Sequence, residues 1–250
     1  MIQQRVVNNV KVQAIPLPKH DTENIRGWKM FPSLYPNIFL VGRKKSGKSN
    51  VIYNILRKCA SKSTKIILFC STCLRDDGWV EALHRLEDRG YQIEKHTSTV
   101  EDGVNLIQEF LERTTEDEDV DLEDKKRSSK RRKISPEYIM IFDDLAHEIR
   151  NSKALSLLYK TNRHYKMMTL TSSQYALDLP PMSRKQMDYW LIFSGQNQEK
   201  LQSIYRDADI SVSMERFDAL YNVATREPYH FMYIDTRTDT FRKNFNTEIK

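Results

Sequence analysis

Apolar positions along the chain fall into two kinds of run. Short continuous blocks occur in "NIFLVG", "KIILFCST", "EYIMIFDDL", "KMMTLTSSQ" and "DYWLIFSG". Their length and their aromatic and β-branched content suit strands buried on both faces. Between them, "KSNVIYNILRKCA" sets Val51, Ile52, Ile55 and Leu56 at helical spacing. "DGWVEALHRLEDRG" is amphipathic and closes on Gly90, a helix with its stop signal. "VNLIQEFLERT", "SKALSLLYKTNRH", "NQEKLQSIYRDA" and "SMERFDALYNVAT" also read as helices, "YQIEKHT" as a short strand, and "YHFMYIDTRTDTF" as a final strand pair. Strands alternating with helices predict an α/β fold on a largely parallel sheet.

Two stretches stand outside this pattern. Residues 1–36 are polar and carry Pro16, Pro18, Pro32 and Pro36, which predicts an N-terminal arm, extended or an edge strand, ahead of one domain over 37–250. "TTEDEDVDLEDKKRSSKRRK", Thr114–Lys133, is acidic and then basic with almost nothing to bury, and reads as a disordered insertion. Its basic half suits a nuclear localisation signal, a loop touching DNA, or a solvated loop.

Composition narrows the class. With 39% hydrophobic and 10% aromatic residues, a 250-residue chain can bury a sizeable core. No stretch approaches the roughly 20 apolar residues of a membrane span, and "MIQQRVVNNVKVQ" is no signal peptide. A soluble, intracellular protein is expected. A net charge of +6 hints only weakly at a polyanionic partner. Cys59, Cys70 and Cys73 are too few for a disulfide framework. Cys70 and Cys73 form a single C-x-x-C without the second pair a zinc site wants.

The chemistry begins after the first strand. Gly42–Ser49, "GRKKSGKS", is G-x-x-x-x-G-K-S between an apolar strand and an apolar-periodic helix. Glycines let the backbone N–H groups turn inward around phosphate oxygens, and the helix directs its N-terminal dipole at the same anion. Gly42, Arg43, Lys44, Lys45, Ser46, Gly47, Lys48, Ser49 and Asn50 are therefore the candidate nucleotide-binding residues. Lys48 would reach the β- and γ-phosphates of ATP, and Ser49 would ligate Mg²⁺. "YIMIFDDL" supplies the acids: Asp143 to hold Mg²⁺ beside Ser49, and Asp144 to orient or deprotonate the attacking water. Glu148, one helical turn on, is a rival base expected to point to solvent. Gln174, closing "KMMTLTSSQ", would sit near the γ-phosphate. Arg163, in "TNRHYK", would serve as a finger offered to a neighbouring subunit's nucleotide, a role worth roughly 10³–10⁵ in rate; the alternative is an arginine favoured by a helix C-terminus. The aromatic tail reads as core.

The order of phosphate loop, "FDD" strand, "NRH" before a strand, strand-final "TSSQ" and then "LPPMSRKQMDYWLIFSGQN" resembles the FtsK–HerA superfamily of P-loop ATPases. Within it, the order is similar to the genome-packaging ATPases of poxviruses, giant viruses, virophages and related transposons. The resemblance covers 37–233. It implies a RecA-like (ASCE) three-layer sandwich with a mostly parallel sheet, and a homo-oligomeric ring of six subunits. It also implies ATP-driven translocation of double-stranded DNA into a capsid, with capsid or portal proteins as partners and no membrane. Lys48 and Ser49 match its Walker A pair, Asp143 the Walker B acid, Asp144 the catalytic acid, Gln174 the sensor and Arg163 the finger acting in trans. Many members carry glutamate where Asp144 stands, and the charged insertion matches none of their motifs. A ring motor grips phosphates from its pore, and Arg184 and Lys185 are the candidates for that contact. The expected location is a cytoplasmic viral factory, the nucleus or the virion.

Two other readings compete. A nucleotide kinase would need an acceptor pocket and an arginine-bearing lid, which the tail lacks. A virion protein would bind nucleotide without turning it over, and Asp144 argues against that.

Overall fold

The computed structural model describes residues 22–118 and 133–250. Its centre is a nine-stranded sheet. The phosphate-loop strand β1 (Asn37–Val41) leads into helix α1 (Lys48–Cys59). Then come β2 (Lys65–Cys70), α2 (Asp77–Glu87), β3 (Gln92–His96), the two-residue strands β4 (Val100–Glu101) and β5 (Val104–Asn105), and α3 (Leu106–Glu118). The second half runs through β6 (Tyr138–Asp143), α4 (Ala146–Ile149), α5 (Lys153–Thr161), β7 (Met167–Ser173), α6 (Pro181–Arg184) and β8 (Tyr189–Phe193). It closes with α7 (Gln198–Asp207), α8 (Met214–Ala224), β9 (Phe231–Asp235), β10 (Thr240–Lys243) and β11 (Thr247–Ile249).

The strand order is β11-β10-β9-β8-β1-β7-β6-β2-β3. From β8 to β3 every pairing is parallel; β9, β10 and β11 extend the sheet antiparallel beyond β8. The continuous apolar runs have a direct cause. Along β1, Phe39 and Val41 pack into one core while Ile38 and Leu40 pack into the other. Helices α1 and α2 cover the second core; α3, α5, α7 and α8 cover the first. A strand buried on both faces has no polar side to alternate with, and the result is a three-layer sandwich.

The expected arm is not what residues 22–36 form. They make a short 3₁₀ turn (Thr22–Asn24) and a compact loop that buries Met30, Phe31 and Leu34. The Phe31 ring lies 5.0 Å from Tyr189 and 6.1 Å from Tyr233, whose hydroxyl donates to Met30 O. Gly27 permits this approach: its φ is +74°, and a Cβ there would stand 2.3 Å from Cys59 Sγ. Burial of about one phenylalanine ring, roughly 2 kcal/mol, outweighs the polar composition around it. Residues 1–21 lie outside the described residues.

The charged segment also begins later than expected. Helix α3 continues to Glu118, and Thr114 is buried with its hydroxyl bonded to Phe110 O at 2.7 Å. The expected disorder and the basic run then fall on 119–132, which lie outside the described residues. Beyond them, Ile134 bridges to Ile25, which joins this end of the segment to the 22–36 loop.

Candidate nucleotide site

Parallel strands deliver their C-terminal ends, and the loops that follow, to one edge of the sheet. β1, β7, β6 and β2 lie side by side there. The loop after β1 turns through two left-handed residues, Lys45 (φ 62°) and Gly47 (φ 97°). Gly42 has no room for a side chain, since a Cβ would meet Phe193 Cβ and Ser46 Oγ at 2.7 Å. Lys48 Nζ donates to the loop carbonyls of Gly42 (2.7 Å) and Arg43 (3.0 Å). Burial lowers the Lys48 pKa, against the pull of Asp143 and Asp144. Ser46 Oγ is buried without a hydrogen-bond partner, an arrangement that costs free energy unless a ligand uses it.

Asp143, the last residue of β6, is 7% exposed. Its Oδ2 accepts from the Trp79 indole N–H at 2.6 Å, and Cys70 Sγ stands 4.0 Å away. Both contacts fall on one oxygen, and the Ser172 side chain also bonds the carboxylate. Burial pushes its carboxyl pKa up; hydrogen bonds from Ser172 and Trp79 and the charge of Lys48 oppose the shift. A buried acid lining the same cleft as Ser49 at the start of α1 fits a divalent ion. Asp144 follows in left-handed backbone (φ 54°), is exposed, and its carbonyl accepts from Ser71 Oγ.

Lys44, Lys45, Lys48, Ser49, Asp143, Asp144 and Gln174 line one cleft of about 260 Å³. Gln174 stands one residue past the end of β7. Arg43 turns away and packs on Gly195; Asn50 is exposed on α1. Five lining residues were not expected: Ser172 on β7, and Thr72, Arg75, Asp76 and Trp79, which run from the turn after β2 into the start of α2. Asp76 caps that helix through Trp79 N at 3.0 Å. The cap fixes the first turn of α2, so its indole reaches across β2 to Asp143.

Two expectations change. Glu148 does not face solvent: its Oε2 accepts from Thr99 N (2.6 Å), Thr99 Oγ1 (2.9 Å) and Ser98 Oγ (3.0 Å), so it pins a loop and has little capacity left to act as a base. Arg184 does not face a pore: it is 6% exposed, pairs with Asp207 at 2.6 Å and donates to Leu179 O. Lys185 beside it is exposed. Arg163 sits before β7, at the opposite edge of the sheet, about 20 Å along a seven-residue strand from the cleft. Its guanidinium pairs with Asp188 at 2.9 Å, so it cannot serve the cleft of its own chain. The C-x-x-C thiols are buried, and burial pushes Cys70 up to about 12.

The sheet order, the phosphate loop and the acid-bearing strand β6, separated from β1 by β7, define a P-loop NTPase of mixed α/β type. Residues 31–229 match the family described as Poxvirus A32 protein, and the chain belongs to that family. It is 32% identical over 120 residues to uncharacterized protein 075L of Invertebrate iridescent virus 6, covering 44% of this chain and 46% of that protein. The chain therefore spans less than half the length of that curated relative. Its fold is similar to the genome packaging NTPase B204 of Sulfolobus turreted icosahedral virus 2 in complex with AMP, with a TM-score of 0.57 and 20% identity, over 84% of this chain and 96% of that one. It is also similar to B204, the DNA-packaging ATPase of Sulfolobus Turreted Icosahedral Virus, with a TM-score of 0.56 and 18% identity, over 83% and 95%.

Proposed function

We propose that this protein is an ATP-hydrolysing motor that drives double-stranded viral DNA into a capsid. The observation that carries the reading is the single cleft holding Lys48, Ser49, Asp143, Asp144 and Gln174, in a chain of the poxvirus A32 family. Phosphoryl transfer asks little covalent chemistry of a protein; it asks for position and charge. Loop N–H groups and the N-terminus of α1 cradle the phosphates. Lys48 leaves the Gly42 and Arg43 carbonyls for β- and γ-oxygens, exchanging two neutral acceptors for charged ones. Ser49 and Asp143 would hold Mg²⁺, which would supply charge neutralisation at the transferring phosphoryl group.

Asp144, exposed and unencumbered by the bonds that occupy Glu148, takes the proton of the attacking water. Gln174 registers the γ-phosphate at the neighbouring strand end. Arg163 completes a neighbouring subunit's site in a ring of six, since it lies too far along β7 to reach the cleft of its own chain. Lys185 is the remaining candidate of its pair for DNA phosphates. No helix among the described residues is long and apolar enough to cross a membrane. Capsid or portal proteins are the partners this function requires, in a cytoplasmic viral factory or the nucleus of an infected cell.

The test is steady-state ATP hydrolysis with and without long double-stranded DNA at low salt, with Lys48→Ala as the blank. Stimulation by DNA that disappears as salt rises is the expected result. Asp144→Asn should bind ATP and not cleave it. Hydrolysis that Lys48→Ala leaves intact would refute the site, and hydrolysis indifferent to DNA would refute the motor.

A further inference from the structure

We infer that Tyr229 is the platform on which the nucleotide's base stacks. The inference rests on the nucleotide-site reading above and adds the half of the ligand that the cleft does not hold. At about 260 Å³, the cleft is smaller than the roughly 300–1,000 Å³ of sites that enclose a whole small-molecule ligand. Its lining is charged and polar, with one indole already committed to Asp143. It suits the phosphates and offers no free aromatic or apolar face to a base.

The direction in which the base leaves is set by the sheet. The acids and Gln174 stand on the β7–β6 side of β1 and fix the γ-phosphate end there. The nucleoside must then extend toward the β8–β9 side. β9 runs antiparallel to β8, with Phe231 opposite Phe193, so β9 begins at the same edge where β1 ends. Tyr229 lies two residues before β9. Two strand spacings, about 10 Å, separate β1 from β9, a span a ribose and base can bridge.

Tyr229 has the properties such a platform requires. It is 69% exposed, the most exposed large hydrophobic side chain among the described residues. A Cβ placed on Gly47 would lie 3.6 Å from Tyr229 Cδ1, so the ring edge borders the last glycine of the phosphate loop while the rest of the ring stays open. Its backbone is left-handed (φ 64°), rare for a bulky residue. The flanking chain holds it there: Glu227 pairs with Lys243 (3.0 Å) and His230 (3.2 Å), and Asn244 bonds Phe231 in both directions. Such strain persists where surroundings over-determine it. In the same loop, one residue before Gly47, the unpartnered buried hydroxyl of Ser46 points independently to a ligand.

The experiment compares equilibrium binding of ATP and of inorganic tripolyphosphate to the full chain, for wild type, Tyr229→Asn, Tyr229→Phe and Lys48→Ala. Asparagine tolerates the left-handed backbone and carries no ring. Tyr229→Asn should weaken ATP about tenfold and leave tripolyphosphate unchanged, and Tyr229→Phe should bind both as wild type does. Unchanged ATP binding in Tyr229→Asn overturns the platform, as does equal weakening of both ligands, which would mean a deformed loop. Lys48→Ala separates the two readings. Loss of both ligands there with unchanged ATP binding in Tyr229→Asn defeats the platform alone. Retention of both in Lys48→Ala defeats the phosphate site and the platform with it.

Discussion

Replacing Trp79 by phenylalanine removes one N–H from Asp143, the proposed metal ligand, while keeping an aromatic ring in the core. The bond is short, 2.6 Å, and both partners are buried, Trp79 to 1% exposure and Asp143 to 7%. A hydrogen bond to a charged group contributes about 1.5–3 kcal/mol, or roughly 10- to 150-fold at about 1.4 kcal/mol per decade. Loss of an outer-shell partner elsewhere weakens metal binding about 10- to 100-fold, the same range from an independent direction. The assay is the rate of ATP hydrolysis against free Mg²⁺ at saturating nucleotide, where the half-saturating concentration should rise about 10- to 100-fold. A second readout follows from the sign of the bond. Trp79 favours the ionised carboxylate, so its loss lets burial raise the Asp143 pKa further. The acid limb of Mg²⁺-dependent activity should then move to higher pH. The smaller ring should also lower stability by about 1 kcal/mol, near 2–4 °C in Tm for a chain of this size. A lowered Tm with unchanged Mg²⁺ dependence and an unmoved acid limb would refute the argument and leave Trp79 as core alone.

Asp143→Asn should abolish Mg²⁺-dependent hydrolysis yet raise Tm at pH 7 without magnesium. Burial raises the folded-state pKa above the unfolded value, so wild-type stability falls as pH climbs from the unfolded pKa through the folded one; the amide escapes that loss, by about 2–4 °C per kcal/mol in a thermal melt. Arg184→Ala should lower Tm by roughly 6–12 °C, because it leaves Asp207 nearly buried and unpaired at about 3 kcal/mol, whereas Lys185→Ala should keep Tm and reduce the salt slope of DNA binding by about 1. Arg163→Ala should lose turnover and also suppress wild-type protein in mixed rings; activity that only dilutes in proportion would refute a finger acting in trans.

The phosphate loop was legible because everything it needs is local: an apolar strand, glycines at fixed offsets, and lysine and serine at a helix start. Asp143, Asp144 and Gln174 were nearly as legible, since strand ends announce themselves by a change from apolar to polar residues. Trp79 was not. Its role depends on β2 lying beside β6 and on Asp76 fixing the first turn of α2, and neither is written in the spacing of "RDDGW". Arg184 misled for a related reason. An arginine after two prolines reads as exposed, and only the approach of α7 supplies the Asp207 that lets it be buried. In 22–36 the polar composition concealed one phenylalanine and one glycine that dock the segment on α1 and β9. Composition averages over residues, and packing here turns on two of them.

The two margins of the sheet carry a consequence for assembly. At one margin β3 is mostly exposed, and its Glu94, Lys95 and His96 engage Glu87 and Glu101 or one another through their side chains. At the other, β11 is three residues long and ends beside a Glu248–Lys250 pair. Short, charged edges resist strand addition. Among the described residues, then, an assembly of copies would rest on side chains rather than on shared backbone ladders, contacts that can slide and re-form without unravelling a sheet.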